Sequence, residues 1–180
     1  MARILLLHQS VYGHTIKISE CLKDELAALG DVAEVRPLEQ GAADADAFDA
    51  IVLGASIRHG KHSPAVVDFV SAQRALLESK PSAFFSVSLV ARKPAKNTAQ
   101  TNPYVRAFLA HSPWQPKLVG VFGGVLDYQR YGLIDRYAIR LIMTLTGGPT
   151  DMHTNTEFTD WSAVKRFAAS LSALAAGRVL

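Results

Sequence analysis

Residues 10–15 carry the groups best suited to binding a ligand. The segment Ser10-Val-Tyr-Gly13-His-Thr15 follows a short apolar strand, Ile4–Leu7, and precedes a helical pattern that begins near Thr15. A helix start of this kind directs free backbone N–H groups and the positive end of the helix dipole at one point, which suits a phosphate dianion. The segment therefore predicts a phosphate site. An ordinary strand-to-helix turn, capped by Ser10 or Thr15, is the alternative.

The composition of this loop narrows the kind of phosphate ligand. A dinucleotide fingerprint needs three glycines, and only Gly13 is present. A Walker loop needs a Gly-Lys-Ser/Thr sequence, which does not follow. A loop rich in hydroxyl groups, with one glycine and no lysine, is typical of a flavin mononucleotide (FMN) site.

Strand and helix patterns alternate along the chain, which indicates βαβ units around a parallel sheet. We predict an α/β fold, a doubly wound five-stranded parallel sheet in a single domain over residues 1–180. Two long connections exceed ordinary loops: the basic segment Ser88–Gln100, and an insertion near the fifth strand at about 128–157. The predicted strands are Ile4–Leu7, Val32–Arg36, Ala50–Leu53, Ala83–Val87 and Leu118–Gly123, and the predicted helices are Thr15–Leu29, Ala65–Leu77, Tyr131–Thr146 and Trp161–Ala175.

Two further loops are expected beside the phosphate site. Ligands of open α/β sheets bind beyond the carboxyl ends of the strands, so segments Gly54–Gly60 and Ser86–Arg92 should converge there. In the first, Ile57, Arg58 and His59 could cover one face of a flat ring, and a guanidinium would favour the anionic form of a reduced flavin. An ordinary glycine-bounded turn is the alternative for that loop.

Composition excludes several classes of function. The 180 residues are 49% hydrophobic with a net charge of +3 and a pI near 9.1, too weakly basic to predict nucleic-acid binding. The single cysteine, Cys21, has no partner for a disulfide, which is compatible with a reducing compartment. No apolar run suggests a signal peptide or a membrane span. The histidine spacing predicts no metal site, and His59 and His62 are expected at the surface.

Motifs spread over the chain resemble one enzyme family. Loops Ser10–Thr15 and Gly54–Gly60 look like a flavodoxin FMN site. More narrowly, the sequence from Ile4 to about Leu174 resembles the flavodoxin-like, quinone-dependent protoporphyrinogen IX dehydrogenases of bacteria. The motifs that carry this resemblance are Gly54-Ala-Ser-Ile-Arg58, Pro81-Ser-Ala-Phe84, Leu89-Val-Ala-Arg-Lys-Pro94, Gln100-Thr-Asn102, Asp135-Arg136, Leu141-Ile-Met143, Gly147-Gly148 and Phe158-Thr-Asp-Trp161.

The resemblance implies an activity and a set of contacts. The family binds FMN without a covalent bond, oxidises protoporphyrinogen IX to protoporphyrin IX, and passes six electrons to menaquinone or ubiquinone. It implies a cytoplasmic protein held peripherally on the inner side of the bacterial inner membrane. Tyr12 and His14 depart from simple flavodoxins, which have small or amide residues there. The expected cofactor contacts are Ser10, Val11, Tyr12, Gly13, His14, Thr15, Ser56, Ile57, Arg58, Phe84, Ser86, Val87, Ser88, Leu89, Thr150 and Asp151.

Basic side chains on the two long connections are suited to the two propionates of the substrate. Arg92, Lys93, Arg136 and Arg140 are the predicted contacts, Lys96 and Arg130 are further cations, and no catalytic base is assigned. A solvated surface is the alternative for each cation. The apolar helix Tyr131–Thr146 could lie in a membrane interface, shelter the porphyrin or pack on the core. Two other functions stay open: an electron carrier, disfavoured by the positive charge, and an NAD(P)H:quinone reductase.

Overall fold

A five-stranded parallel sheet forms the centre of the protein, in a computed structural model that describes residues 1–153 and 155–178. The strand order is β2-β1-β3-β4-β5, so the predicted doubly wound sheet is confirmed. All four pairings are parallel. The strands are β1 (Arg3–Gln9), β2 (Val32–Pro37), β3 (Ala50–Ser56), β4 (Ser82–Ser88) and β5 (Leu118–Gly123).

Helices cover both faces of the sheet because successive strand residues point to opposite sides. In β1, Ile4 and Leu6 pack in one apolar cluster with residues of helices α1 and α6, whereas Leu5 and Leu7 pack with residues of α2 and α3. Because β1 is buried on both faces, its successive residues from Ile4 to Leu7 are all apolar, and this explains the continuous apolar run seen in the sequence. The helices are α1 (His14–Ala28), α2 (Pro64–Ala72), α3 (Arg74–Ser79), α4 (Pro103–His111), α5 (Leu133–Thr146) and α6 (Trp161–Ala175).

Three helices differ from the sequence prediction. The predicted helix Ala65–Leu77 divides into α2 and α3 because Gln73 leaves the helical region, at φ −104° and ψ 17°. Helix α4 was not predicted, although Asn102 caps it with a side-chain oxygen and Pro103 follows. Helix α5 begins two residues later than predicted because Gly132 has an extended ψ of 162°.

The insertion forms a small substructure with its own apolar core. Strands β6 (Val125–Asp127) and β7 (Asn155–Glu157) pair antiparallel at its base, and α5 lies between them in sequence. Leu126, Tyr128, Tyr131 and Met143 are buried together, and the Tyr128 hydroxyl donates to the Pro149 carbonyl at 2.7 Å. None of the helices in residues 1–153 and 155–178 combines the length and apolar character that crossing a membrane requires.

Candidate functional site

The loop between β1 and α1 has the geometry of an anion site. Gly13, at the N-cap of α1, adopts the left-handed region at φ +86°, where a side chain would be strained. No side chain caps the helix. Neither Ser10 nor Thr15 caps the helix, contrary to that part of the alternative: the Ser10 hydroxyl instead accepts the Gly13 N–H at 3.1 Å. The first-turn N–H groups of α1 are available to a ligand, at the positive end of the helix dipole.

Two hydroxyl groups beside this loop are buried without a hydrogen-bond partner. They are Thr15 Oγ1, on a residue that is 1% exposed, and Ser88 Oγ, on a residue that is 5% exposed. Both residues line the same cavity. Because buried polar groups are nearly always hydrogen-bonded, these two hydroxyls fit a polar ligand that supplies the missing partners.

The carboxyl ends of β1, β3 and β4 share a cavity of about 590 Å³, a volume within the usual range of small-molecule sites. Residues 56–58 and 87–89 form neighbouring parts of its wall. The Ile57 N–H donates to the Val87 carbonyl at 2.9 Å and so ties the two loops together. The convergence of three loops at one edge of the sheet is thus seen in the structure.

Helix α5 and the segment after β4 complete the cavity. Ile139, Ile142 and Met143 of α5 line one side, and Leu89 and Val90 line another. These side chains give the outer part of the cavity an apolar wall, suited to a flat hydrophobic molecule. The insertion is therefore part of the site.

Tyr12, the bulky residue that departs from simple flavodoxins, contacts the insertion. Its ring meets the Tyr131 ring edge-on, with centroids 5.2 Å apart, and the Arg58 guanidinium carbon lies 5.9 Å from its centroid. Arg130 donates to the Tyr12 carbonyl at 2.9 Å. Tyr12 thus joins the phosphate loop to the insertion, and the loop keeps its shape because Gly13 makes the turn.

The second departure, His14, lies where burial favours the neutral form of its ring. Burial lowers its pKa below the ordinary value, with a smaller opposing effect from Glu157. The Thr159 hydroxyl donates its hydrogen to the Gly123 carbonyl at 2.8 Å. Its oxygen therefore accepts the hydrogen bond from His14 Nε2 at 2.6 Å. This network assigns the proton to Nε2, and the ring connects the start of α1 to residues beyond the insertion.

Most charged groups of the cavity are paired within the protein. Lys17 meets Glu157 at 2.7 Å, and Arg130 meets Asp127 at 3.1 Å. Asp135 of α5 contacts both Arg58, at 2.9 Å, and His59, at 3.0 Å. The contacts of Asp135 hold α5 against the loop that follows β3, and the Lys17–Glu157 pair joins α1 to β7.

Fourteen of the twenty predicted site residues line the cavity, and six do not. Phe84 is fully buried and stacks on Phe108 with centroids 4.8 Å apart. Ser86 is also buried, at 2.9 Å from His62 Nε2. Both were expected to contact the cofactor, but only the end of β4, from Val87 onward, reaches the cavity. The cavity residues are Ser10, Val11, Tyr12, Gly13, His14, Thr15, Ser56, Ile57, Arg58, Val87, Ser88, Leu89, Arg92 and Lys93.

The other four residues outside the cavity belong to the insertion. Arg136 donates to the Tyr131 carbonyl at 3.3 Å, and Arg140 donates to the Met152 sulfur at 3.6 Å. The Asp151 carboxylate accepts the His153 N–H at 3.0 Å. Thr150 and Asp151 do not line the cavity, so a flavin contact from either residue stays a prediction.

Several cavity residues were not among the predicted contacts. The apolar side of α5 could have been found from the spacing of Ile139, Ile142, Met143 and Thr146, which share one helical face. The short strand β6 carries no such signal. His62, expected at the surface, is buried at 5% exposure, and burial lowers its pKa to about 4. The additional lining residues include Lys17, Tyr104, Asp127, Tyr131 and Asp135.

The strand order, the uncapped helix start and the cavity at the β1/β3 edge define a flavodoxin-like FMN protein. A flavodoxin domain family matches residues 5–153. Flavodoxin 1 from Bacillus cereus has the same fold, with a TM-score of 0.54 and 16% identity over 94% of this chain and 97% of its own.

Two curated relatives are similar over nearly the whole chain. Both are named protoporphyrinogen IX dehydrogenase [quinone]. The one from Escherichia coli K12 is 43% identical over 175 residues, covering 96% of each chain. The one from Leishmania major is 44% identical over 174 residues, covering 96% of this chain and 75% of its own. The chain therefore belongs to the flavodoxin-domain family of protoporphyrinogen IX dehydrogenases, and its cofactor is FMN.

Proposed function

We propose that this protein oxidises protoporphyrinogen IX to protoporphyrin IX and passes the electrons to a quinone. The observation that carries the proposal is the continuity of one cavity between the three strand-end loops and the apolar wall of α5. A cofactor at the loops and a flat apolar substrate beside α5 would share that space. The names of the two curated relatives supply the substrate and the acceptor.

Residues of the loops would hold the cofactor. Residues 10–15 surround the phosphate with backbone N–H groups and the hydroxyls of Ser10 and Thr15. Residues 56–58 and 87–89 flank the ring, where Ser88 offers its unpartnered hydroxyl. When bound, FMN supplies two-electron acceptance from the substrate and the return of those electrons to the quinone.

The overall reaction balances without oxygen. Six electrons and six protons leave protoporphyrinogen IX, and three quinone molecules carry them away as three quinols. The cavity carboxylates Asp127, Asp135 and Glu157 are each paired with a cation. In our proposal they position the walls of the site, and solvent relays the protons released by the substrate to the reduced quinones.

We also infer that the outer face of α5 rests on the cytoplasmic surface of the bacterial inner membrane, where the quinone pool lies. Leu133, Tyr137, Leu141 and Leu145 recur at every fourth position and are 60–77% exposed, and Ile134 beside them is 86% exposed. A helix that exposes so many large apolar groups favours an interfacial position. The opposite face of the same helix lines the cavity, so a quinone leaving the membrane would have a short path to the flavin.

An anaerobic assay tests the activity. Protein reconstituted with FMN is mixed with protoporphyrinogen IX, with or without a menaquinone or ubiquinone analogue, and porphyrin fluorescence is followed. We expect a quinone-dependent rise above a control of free FMN. NADPH in place of the porphyrinogen distinguishes the alternative reductase: rapid quinone reduction by NADPH, with no porphyrin formed from porphyrinogen, would refute the proposal.

A further inference from the structure

We propose that Lys93 and Lys96 form a clamp for the two carboxylates of the substrate. This inference rests on the proposed function and assigns a part of the same cavity. Both lysines line the cavity on the segment that follows β4, where Lys93 is half-buried and Lys96 is exposed.

The charge balance of the cavity singles out these two residues. Lys17, Arg58 and Arg130 each have a carboxylate partner. The Arg92 guanidinium donates hydrogen bonds to the Leu89 carbonyl, at 3.0 Å, and to the Thr146 hydroxyl, at 2.7 Å. Among the residues that the structure describes, the ammonium groups of Lys93 and Lys96 form no salt bridge or hydrogen bond. Two unpaired ammonium groups beside an apolar wall predict a ligand that is both flat and doubly anionic.

The backbone that carries the lysines is fixed at several points. Asn102 is fully buried, and its Nδ2 donates to the Lys96 carbonyl at 2.9 Å. Its Oδ1 accepts the N–H groups of Tyr104 and Val105 at the start of α4. The Lys96 N–H donates to the Lys93 carbonyl at 2.8 Å. The side chains of Lys93 and Lys96 therefore extend from a preorganised turn, and this lowers the entropic cost of binding a ligand.

The place of the lysines in the fold separates them from the phosphate site. They follow β4, whereas the phosphate loop follows β1, and β3 lies between these strands. Two strand spacings amount to roughly 10 Å. The lysines thus lie on the β4 side of the cavity, on the segment whose Arg92 contacts Thr146 of α5. A tetrapyrrole could lay its apolar body against the apolar wall of α5 and direct its acidic side chains toward the lysines.

The test compares Lys93→Gln, Lys96→Gln and the double variant with Lys117→Gln, an exposed lysine at the opposite end of the sheet, where β5 begins. We expect each single change to raise the KM for protoporphyrinogen IX about tenfold, with kcat within about twofold, since charge-assisted hydrogen bonds act in binding. The Kd for FMN should not change. An unchanged KM in the double variant would overturn the clamp.

A binding experiment tests the clamp independently of turnover. Wild-type holoenzyme and the double variant are titrated with protoporphyrin IX and with its dimethyl ester. We expect the wild type to prefer the free acid by about tenfold or more, and the double variant to lose that preference. If the wild type shows no turnover, the proposed function fails, and this preference still decides the clamp. Equal preference for the free acid in both proteins would refute it.

Discussion

The carboxylate of Asp135 on α5 lies 2.9 Å from the guanidinium of Arg58, on the loop after β3. The same carboxylate meets His59 at 3.0 Å. One aspartate of the insertion thus contacts two successive residues of a loop that lines the cavity. This contact joins the part of the protein that is common to flavodoxin-like folds to the part that is added to it.

This contact predicts a dependence of the insertion on pH. His59, and then Arg58, lower the pKa of Asp135. A carboxyl group whose pKa is lower in the folded state contributes stability above its ordinary pKa of about 4 and loses it as the pH falls below that value. We therefore expect the protection factors of the α5 amides, which are corrected for the intrinsic exchange rate at each pH, to fall at acidic pH. Hydrogen exchange measured by mass spectrometry checks this.

Asp135→Asn is the matched variant. It should show low protection factors in α5 at neutral pH, with little further loss of protection on acidification, while the amides of α1 keep the wild-type protection factors. Because the pair is solvent-exposed, global stability should change little. Exchange in α5 that is slow at neutral pH in both proteins would contradict a role of this contact in holding the insertion.

Thr15→Val separates cofactor binding from stability. The Thr15 hydroxyl is buried without a partner, so its loss should leave the protein without cofactor as stable as before, or more stable by up to about 1 kcal/mol. The Kd for FMN should rise about tenfold because the ligand loses one hydrogen bond. Fluorescence titration with FMN and urea denaturation measure the two quantities.

Ser63→Ala is the control for that experiment. The Ser63 hydroxyl is also buried without a partner, but Ser63 does not line the cavity. Its removal should leave the Kd for FMN unchanged. Equal Kd values for Thr15→Val and wild type would remove Thr15 from the set of phosphate contacts.

The sequence predicts those parts of the site that depend on local pattern and on the order of the strands. The loop 10–15 follows a buried strand and starts a helix, and the ends of parallel strands share one edge, so three loops could be placed together. Phe84 and Ser86 were misplaced because the resemblance gives positions along β4, whereas depth along a strand decides which residues reach the cavity. His62 was misplaced because its burial depends on contacts with Phe84 and Phe108 from other elements.

The insertion was harder to predict in detail. The apolar pattern of α5 indicates a helix, but only tertiary structure shows that one side faces the cavity and the other is exposed. Strands β6 and β7 have three residues each, too few for a periodic signal. The partners of Arg92 and Arg140 likewise come from residues distant in sequence.

His62 should give the protein an acid-sensitive stability. Burial lowers its pKa from 6.5 to about 4, so the unfolded chain binds more protons than the folded one between these values. Stability should therefore fall as the pH decreases from about 6.5 toward 4, by about 3 kcal/mol from this residue. Urea denaturation across this range measures the slope.

His62→Gln should flatten that slope, while His111→Gln, on an exposed histidine of α4, should keep it. His8 and His14 also have lowered pKa values, so part of the slope persists in every variant. A slope in His62→Gln equal to that of the wild type would show that this histidine is not held neutral by burial.

The outer face of α5 predicts binding to lipid. Leu141→Gln with Leu145→Gln removes two side chains that are 60% and 77% exposed. We expect the double variant to lose at least tenfold in co-sedimentation with vesicles of bacterial lipid composition, since burial of each leucine contributes about 1.5–3 kcal/mol. Turnover with a water-soluble quinone should stay at the wild-type level.

Val67→Gln is the control for lipid binding, because Val67 is an exposed apolar residue of α2, 46% exposed and outside the insertion. It should bind vesicles as the wild type does. Vesicle binding by the α5 variant equal to that of Val67→Gln would assign the exposed face to some other contact.

We propose that one cavity joins a flavin site to a porphyrinogen site and that the electrons pass from the flavin to a quinone. The most direct measurement is the ratio of quinol to porphyrin formed during anaerobic turnover of the FMN-loaded protein. We expect three quinols for each protoporphyrin IX, at a rate that saturates with substrate. Porphyrin formation that is independent of quinone, or quinol formation without porphyrin, would contradict it.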